Sequence, residues 1–248
     1  MTRPRRVVAI MGAGGALGAA VSRQLAGEPT TDLLLSDVSA ASLEATVAAL
    51  PATAGSVETV LADVSEFTEV EAAAELAVAR FGRLDVLISN AGVLSSNGRI
   101  HNLATEEWER AFRVNVLGAV NGIRAAVAVM RPQGSGSIVL TASVAGLTAW
   151  SHAAPYCATK AAVIQLAKVA AVEYARDGIR VNCVCPGTFL SAIHDGLPQD
   201  AIDAVAARHP LGLGSATDLV GAYSYLAGDT SGWTTGSAIV VDGGYSAP

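Results

Sequence analysis

Short, nearly uninterrupted apolar runs alternate along this chain with longer stretches in which Ala, Leu and Val return at helical spacing. The runs at Arg6–Met11, Asp32–Ser36, Ser56–Leu61, Leu84–Ser89, Ser137–Thr141, Arg180–Cys185 and Ala238–Val241 read as strands. Most are continuous rather than alternating, which suits parallel strands covered on both faces. Helical periodicity fills the gaps at Ala16–Ala26, Ala40–Ala49, Glu69–Phe81, Thr105–Met130, Pro155–Ala175 and Thr217–Leu226. Strand and helix in strict alternation predict an α/β fold, doubly wound, with a parallel sheet of about seven strands. No internal repeat or Pro/Ser linker divides the chain, so residues 1–248 are expected to form a single domain. Pro132–Gly136 reads as a turn, and the long irregular region 191–216 as a lid over a substrate site.

Composition raises one question before function. The chain is 51% hydrophobic with a mean hydropathy of +0.42, and Arg3, Arg5 and Arg6 precede the uncharged run Val7–Val21, as in a secretory leader. Gly12, Gly14, Gly15 and Gly18 would weaken the helix that a leader needs, and the run is too short to cross a bilayer. Neither leader nor membrane association is expected. The net charge of -6, with the 16 basic residues scattered, argues against nucleic acid. Cys157, Cys183 and Cys185 are odd in number and lack metal or redox-motif spacing, which fits a reducing cytoplasm. His152, His194 and His209 have no carboxylates at ligand spacing, and no metal is expected.

The first candidate chemistry lies between the first strand and the first helix. Gly12-Ala13-Gly14-Gly15-Ala16-Leu17-Gly18 leaves bare backbone where a pyrophosphate can approach a helix N-terminus. Asp37 ends the second strand at the position expected to bind a ribose 2′-hydroxyl. From Gln24 through Ala79 there is no Lys or Arg to neutralise a 2′-phosphate, and the Asp37 carboxylate would repel one. These features predict NAD(H) over NADP(H).

The second candidate is Tyr156-Cys157-Ala158-Thr159-Lys160, whose spacing of four puts Tyr156 and Lys160 on one helical face. A free tyrosine titrates near pH 10, so acid/base work at neutrality needs about 4 kcal/mol of phenolate stabilisation. A lysine ammonium and a cationic nicotinamide ring in a low-dielectric cleft could supply it together.

With Asn90-Ala91-Gly92, Asn115, Ser143, Pro186-Gly187 and Asp242-Gly243-Gly244 in this order, the chain resembles the short-chain dehydrogenase/reductase family over essentially its whole length. The resemblance implies a Rossmann fold. It also implies that Tyr156 is the general acid/base, that Ser143 holds the substrate oxygen, that Lys160 binds the nicotinamide ribose and favours the phenolate, and that Asn115 anchors a water relay. Gly12, Gly14, Gly15, Ala16, Leu17 and Gly18 would then hold the dinucleotide phosphates. Asp63 and Val64 would flank the adenine, Asn90, Ala91 and Gly92 would line the cofactor, and the loop of Pro186, Gly187, Phe189 and Ser191 would meet the carboxamide. Met11 and Ala16 stand where the family usually has Thr and Gly, departures that bear on cofactor affinity rather than chemistry.

Leu94, Ser95, Leu147, Trp150, His152, Leu190 and Ile193 follow motif residues and are the expected substrate contacts. Most are apolar, which points to a small-to-medium hydrophobic secondary alcohol or ketone. Hydride transfer between NAD and that pair is the expected activity. The alternatives are an NADPH-dependent reductase of carrier-bound ketoacyl groups, disfavoured by Asp37, and a dinucleotide-sensing scaffold, disfavoured by the intact Ser143, Tyr156 and Lys160. A homotetramer is expected, from the resemblance and from the small and aliphatic residues on more than one face of Ala119–Val129 and Ala161–Ala171.

Overall fold

The computed structural model describes residues 5–28, 30–52, 54–191 and 198–247. In chain order its elements are β1 (Arg6–Met11), α1 (Ala16–Ala26), β2 (Thr31–Asp37), α2 (Ala40–Ala48), β3 (Val57–Leu61), α3 (Phe67–Phe81), β4 (Val86–Ser89), α4 (Thr105–Phe112), α5 (Gly118–Gln133) and β5 (Gly136–Thr141). They continue with α6 (Ala154–Tyr174), β6 (Ile179–Pro186), β7 (Phe189–Leu190), α7 (Gln199–Ala206), β8 (Gly214–Ser215), α8 (Ala216–Ala227) and β9 (Ala238–Val241). Seven strands form one parallel sheet in the order β3-β2-β1-β4-β5-β6-β9. This is the doubly wound Rossmann arrangement, built as a single domain.

The continuous apolar runs do what parallel strands require: Leu33, Leu34 and Leu35 of β2 are all buried, although neighbouring side chains point to opposite faces. One face packs against α3, α5 and α6 through residues such as Leu87, Met130, Ile138 and Val163. The other packs against α1 and α8 through Ile10, Leu17, Val21, Leu25, Leu219 and Tyr223. Each fully buried Leu, Ile or Met contributes about 1.5–3 kcal/mol, so the sheet is the fixed platform for whatever its loops carry. The strand order reverses between β1 and β4, and a crevice opens there at the carboxyl ends of the strands.

Three expectations need correction. The predicted single helix Thr105–Met130 is two helices joined by a π-helical turn, Arg113–Leu117, because the Asn115 side chain turns inward to bond groups outside its own helix. Such turns insert one residue into the ladder and redirect a side chain. The stretch Thr105–Gln133 is long and apolar enough to cross a membrane by length and composition alone, but half of its most apolar window is buried within the fold. Next, α5 runs on through Pro132 to Gln133 and stops at Gly134, whose φ of 69° is left-handed, so the turn is shorter than expected. The lid region is also more regular than its Gly and Pro content suggests: it holds α7 and the two-residue strand β8, which pairs with β7. Ile193 and His194 lie outside the described residues.

Candidate active site

The glycine loop is dictated by space. Gly12 has φ 84°, and a Cβ there would stand 2.6 Å from the Ala91 backbone; a Cβ on Gly18 would stand 2.1 Å from the Gly12 carbonyl oxygen. Only glycines allow β1 to turn so sharply into α1. Gly15 is the N-cap of α1 and supplies no side chain to the helix, whose first turn also lacks an acid. The amide donors at that end are therefore left for a ligand. Ala16 is exposed here, so its methyl meets no steric obstacle, whereas Met11 is buried in the core on the α3 and α5 side.

Asp37 lies against the same loop. One carboxylate oxygen accepts the Gly14 amide at 2.9 Å and the other accepts the Ser39 amide at 3.1 Å. Each oxygen retains acceptor capacity for a hydroxyl. Beyond β3, Asp63 accepts the Ser65 amide at 2.8 Å, and the buried Val64 offers its carbonyl to Asn121 at 2.9 Å.

The catalytic candidates converge at the other end of the crevice. Ser143 follows β5 and is buried; its Oγ accepts the Ala145 amide at 3.1 Å, and it lines the same cleft as Tyr156. Lys160, one helical turn beyond Tyr156 on α6, is only 3% exposed. Its Nζ donates to the Thr141 carbonyl at 2.8 Å and lies 5.7 Å from the Tyr156 ring centre. Burial pulls the Lys160 ammonium down to about 8. Burial also pushes the Tyr156 phenol above its ordinary value, and Ser143 only partly opposes this. In the chain by itself, then, Tyr156 is a protonated phenol, poised as a proton donor.

Asn115 stands behind this pair, buried on its π-turn. Its amide donates to the Val93 carbonyl and to Thr159 Oγ1, both at 3.0 Å, and its Oδ1 accepts the Val93 amide at 2.8 Å. Thr159 in turn donates to the Tyr156 carbonyl at 2.8 Å. Asn115 thus clamps the loop after β4 to the first turns of α6, which carry Tyr156.

A cleft of about 430 Å³ joins the two ends. Gly15, Ala16, Leu17, Asn90, Gly92, Ser143, Tyr156, Lys160, Pro186, Gly187, Phe189 and Ser191 line it, with Leu94 and Trp150 from the expected substrate contacts. Trp150 stacks near Tyr156, ring centres 6.1 Å apart. Leu147 and Leu190 are exposed and do not line the cleft. Gly146, just before Leu147, packs closely on the backbone of Lys160 and Ala161 and leaves no room for a Cβ. Ser95 and His152 are also absent from the lining; His152 has a left-handed φ of 68°, and its Nδ1 bonds the Ser151 hydroxyl at 2.8 Å. Four lining residues were not anticipated: Val93, Thr141, Ala142 and Thr188. Thr188 is held by the buried His209, whose Nε2 accepts its amide at 3.2 Å.

The sequence model of the family described as Enoyl-(Acyl carrier protein) reductase matches residues 12–246. The chain is 35% identical to cis-4-hydroxycyclohexanecarboxylate dehydrogenase of Sinomonas cyclohexanicum, over 98% of this chain and 97% of that protein. The crystal structure of levodione reductase superposes with a TM-score of 0.92 at 33% identity, covering 99% of both chains. The chain belongs to the short-chain dehydrogenase/reductase family. This family uses nicotinamide cofactors, and the NAD+-bound structure of a xylitol dehydrogenase matches with a TM-score of 0.92 at 27% identity, over 98% of this chain and all 100% of that one. The residues present fit such a dinucleotide. The α1 N-terminus is uncapped, Gly12 and Gly18 leave no room for a Cβ, and one cleft runs from Gly15 to Tyr156 and Lys160.

Proposed function

We propose that this short-chain dehydrogenase/reductase is an NAD(H)-dependent oxidoreductase acting on small-to-medium hydrophobic secondary alcohols and the corresponding ketones. The observation that carries the reading is the single cleft with an open glycine turn at one end, Ser143, Tyr156 and Lys160 together at the other, and Leu94, Trp150 and Phe189 among its walls.

The nicotinamide, when bound, supplies or takes the hydride. In reduction, Tyr156 gives its phenolic proton to the carbonyl oxygen as that oxygen becomes an alkoxide, and Ser143 donates a hydrogen bond to the same oxygen. Lys160 stabilises the resulting phenolate through its charge, and in oxidation each transfer reverses. Both amide hydrogens of Asn115 are committed to Val93 and Thr159, so a water relay anchored there runs through an acceptor of that residue. Apolar walls recognise carbon by burying it and leave orientation to the three polar groups.

Asp37 supports NAD(H), because its carboxylate beside the Gly14 amide would repel a 2′-phosphate while retaining acceptor capacity for a hydroxyl. A cytoplasmic homotetramer is part of the same reading. Initial rates with NADH and NADPH over a panel of cyclic and acyclic ketones test it, with higher efficiency expected for NADH. Tyr156→Phe is expected to lower turnover by at least about a thousandfold while NADH still binds. Equal or better efficiency with NADPH would remove the NAD assignment, and undiminished turnover in the variant would remove the mechanism.

A further inference from the structure

Tyr223 is the largest fully buried side chain in the molecule's described core, at 0% exposed, and it carries a hydroxyl into the largely apolar interface between α8 and the sheet. That hydroxyl lies 2.8 Å from Thr141 Oγ1 at the end of β5. Thr141 Oγ1 donates to Asn90 Oδ1 at 3.2 Å, and Asn90 Nδ2 donates to the Gly12 carbonyl at 2.8 Å.

The direction of this chain is fixed by what each group can do. A carbonyl only accepts, so the Asn90 amide nitrogen must face Gly12 and its oxygen must face Thr141. That oxygen also only accepts, which commits the Thr141 proton to it. Tyr223 is therefore the donor to Thr141. The chain starts on α8 and ends at the Gly12 carbonyl, the same atom that Gly18 approaches too closely to carry a side chain. The main-chain carbonyl of Thr141 meanwhile holds Lys160 Nζ, so Thr141 touches both ends of the cleft.

We propose that Tyr223 is a positioning residue for dinucleotide binding, its hydroxyl orienting Thr141 and, through Asn90, the Gly12 carbonyl at the root of the glycine turn. Tyr223 touches neither cofactor nor substrate. It acts by leaving Thr141 one orientation, in which Asn90 keeps its grip on the loop.

The inference rests on the cleft binding a nicotinamide dinucleotide, and its test is affinity rather than turnover. NADH is titrated by fluorescence into the wild-type chain, Tyr223→Phe, Thr141→Val and the double variant, with NADPH as probe if the wild type does not take up NADH. Losing its one hydrogen bond to Thr141 is expected to raise the dissociation constant about fivefold in Tyr223→Phe, and Thr141→Val, which breaks the links to both Tyr223 and Asn90, is expected to raise it at least as much. Because both substitutions break one chain, the double variant is expected to match the worse single variant rather than multiply the two effects. Leu219→Val, which loosens the same helix without touching the hydroxyls, is expected to lower the unfolding midpoint and leave the dissociation constant at the wild-type value. A Tyr223→Phe constant within about twofold of wild type, a double variant equal to the product of the singles, or an equal rise in Leu219→Val would each overturn the proposal. A wild-type chain that binds neither dinucleotide would overturn the proposed function and this inference with it.

Discussion

At the scale of single residues, Lys160 illustrates how function opposes stability. An ammonium that is nearly fully buried, with one carbonyl partner and no carboxylate among the described residues, is held at about 8 when folded against 10.5 when free. Between those values the unfolded chain binds more protons than the folded one, so folding stability gains with rising pH across that window. Below pH 8 the whole penalty is present, about 3 kcal/mol for this shift. Lys160→Met removes it. The unfolding midpoint of the ligand-free variant is expected to exceed that of wild type near pH 7, with the gap narrowing from pH 8 toward 10.5. A gap that stays constant over that range would show that Lys160 does not bear the penalty. Tyr156 and Lys160 stood out in the sequence because a spacing of four puts them on one helical face, whereas Ser143 came only with the family resemblance; the fold sets all three on one cleft. Tyr223 was not legible, since a tyrosine among Leu219, Val220 and Leu226 reads as one more core side chain. Only the fold brings its hydroxyl to Thr141.

Among the elements, those read most securely were the ones with no alternative. Six consecutive mostly apolar residues at Arg6–Met11 had to be a covered strand, and the glycines after it had to be a turn. The π-turn was hidden because the apolar spacing of α4 carries on into α5 without an obvious fault, and the single inserted residue shows only through where Asn115 points. The two-residue strands β7 and β8 are too short to leave any period. Within the glycine turn the available space separates two substitutions that look alike on paper. Gly18→Ala would drive a Cβ to 2.1 Å from the Gly12 carbonyl, while at Gly15 the nearest atom to a Cβ is that same oxygen at 3.9 Å. Gly18→Ala is expected to lose about 1–3 kcal/mol of stability together with most of its NADH affinity. Gly15→Ala is expected to fold as wild type and to keep most of its affinity. Chemical denaturation and NADH titration of both variants check this, and a Gly18→Ala protein as stable as Gly15→Ala would contradict the geometry.

For the whole molecule, the apolar surplus of the composition is only partly used by the core. Val172 is 82% exposed on α6, with Val169 beside it on the same helix and Phe112 on the neighbouring α4. Elsewhere, Trp233 is completely exposed, and Val240 is exposed on β9, which ends the sheet with its outer edge unpaired among the described residues. Isolated exposed apolar residues need no explanation, but groups on adjoining elements and an open sheet edge call for cover. Two such patches on different parts of one chain suit a tetramer with dihedral symmetry, each patch meeting its own copy across a two-fold axis. The wild-type chain is expected to sediment as a tetramer at micromolar concentration. Val172→Glu places a charge in one patch and Trp233→Ser empties the other, so each alone is expected to give dimers and the pair monomers. Because the cleft lies at the carboxyl ends of the strands rather than on either patch, the variants are expected to keep their NADH affinity. A monomeric wild type, or a Val172→Glu, Trp233→Ser double variant that still sediments as a tetramer, would show that these patches are ordinary surface.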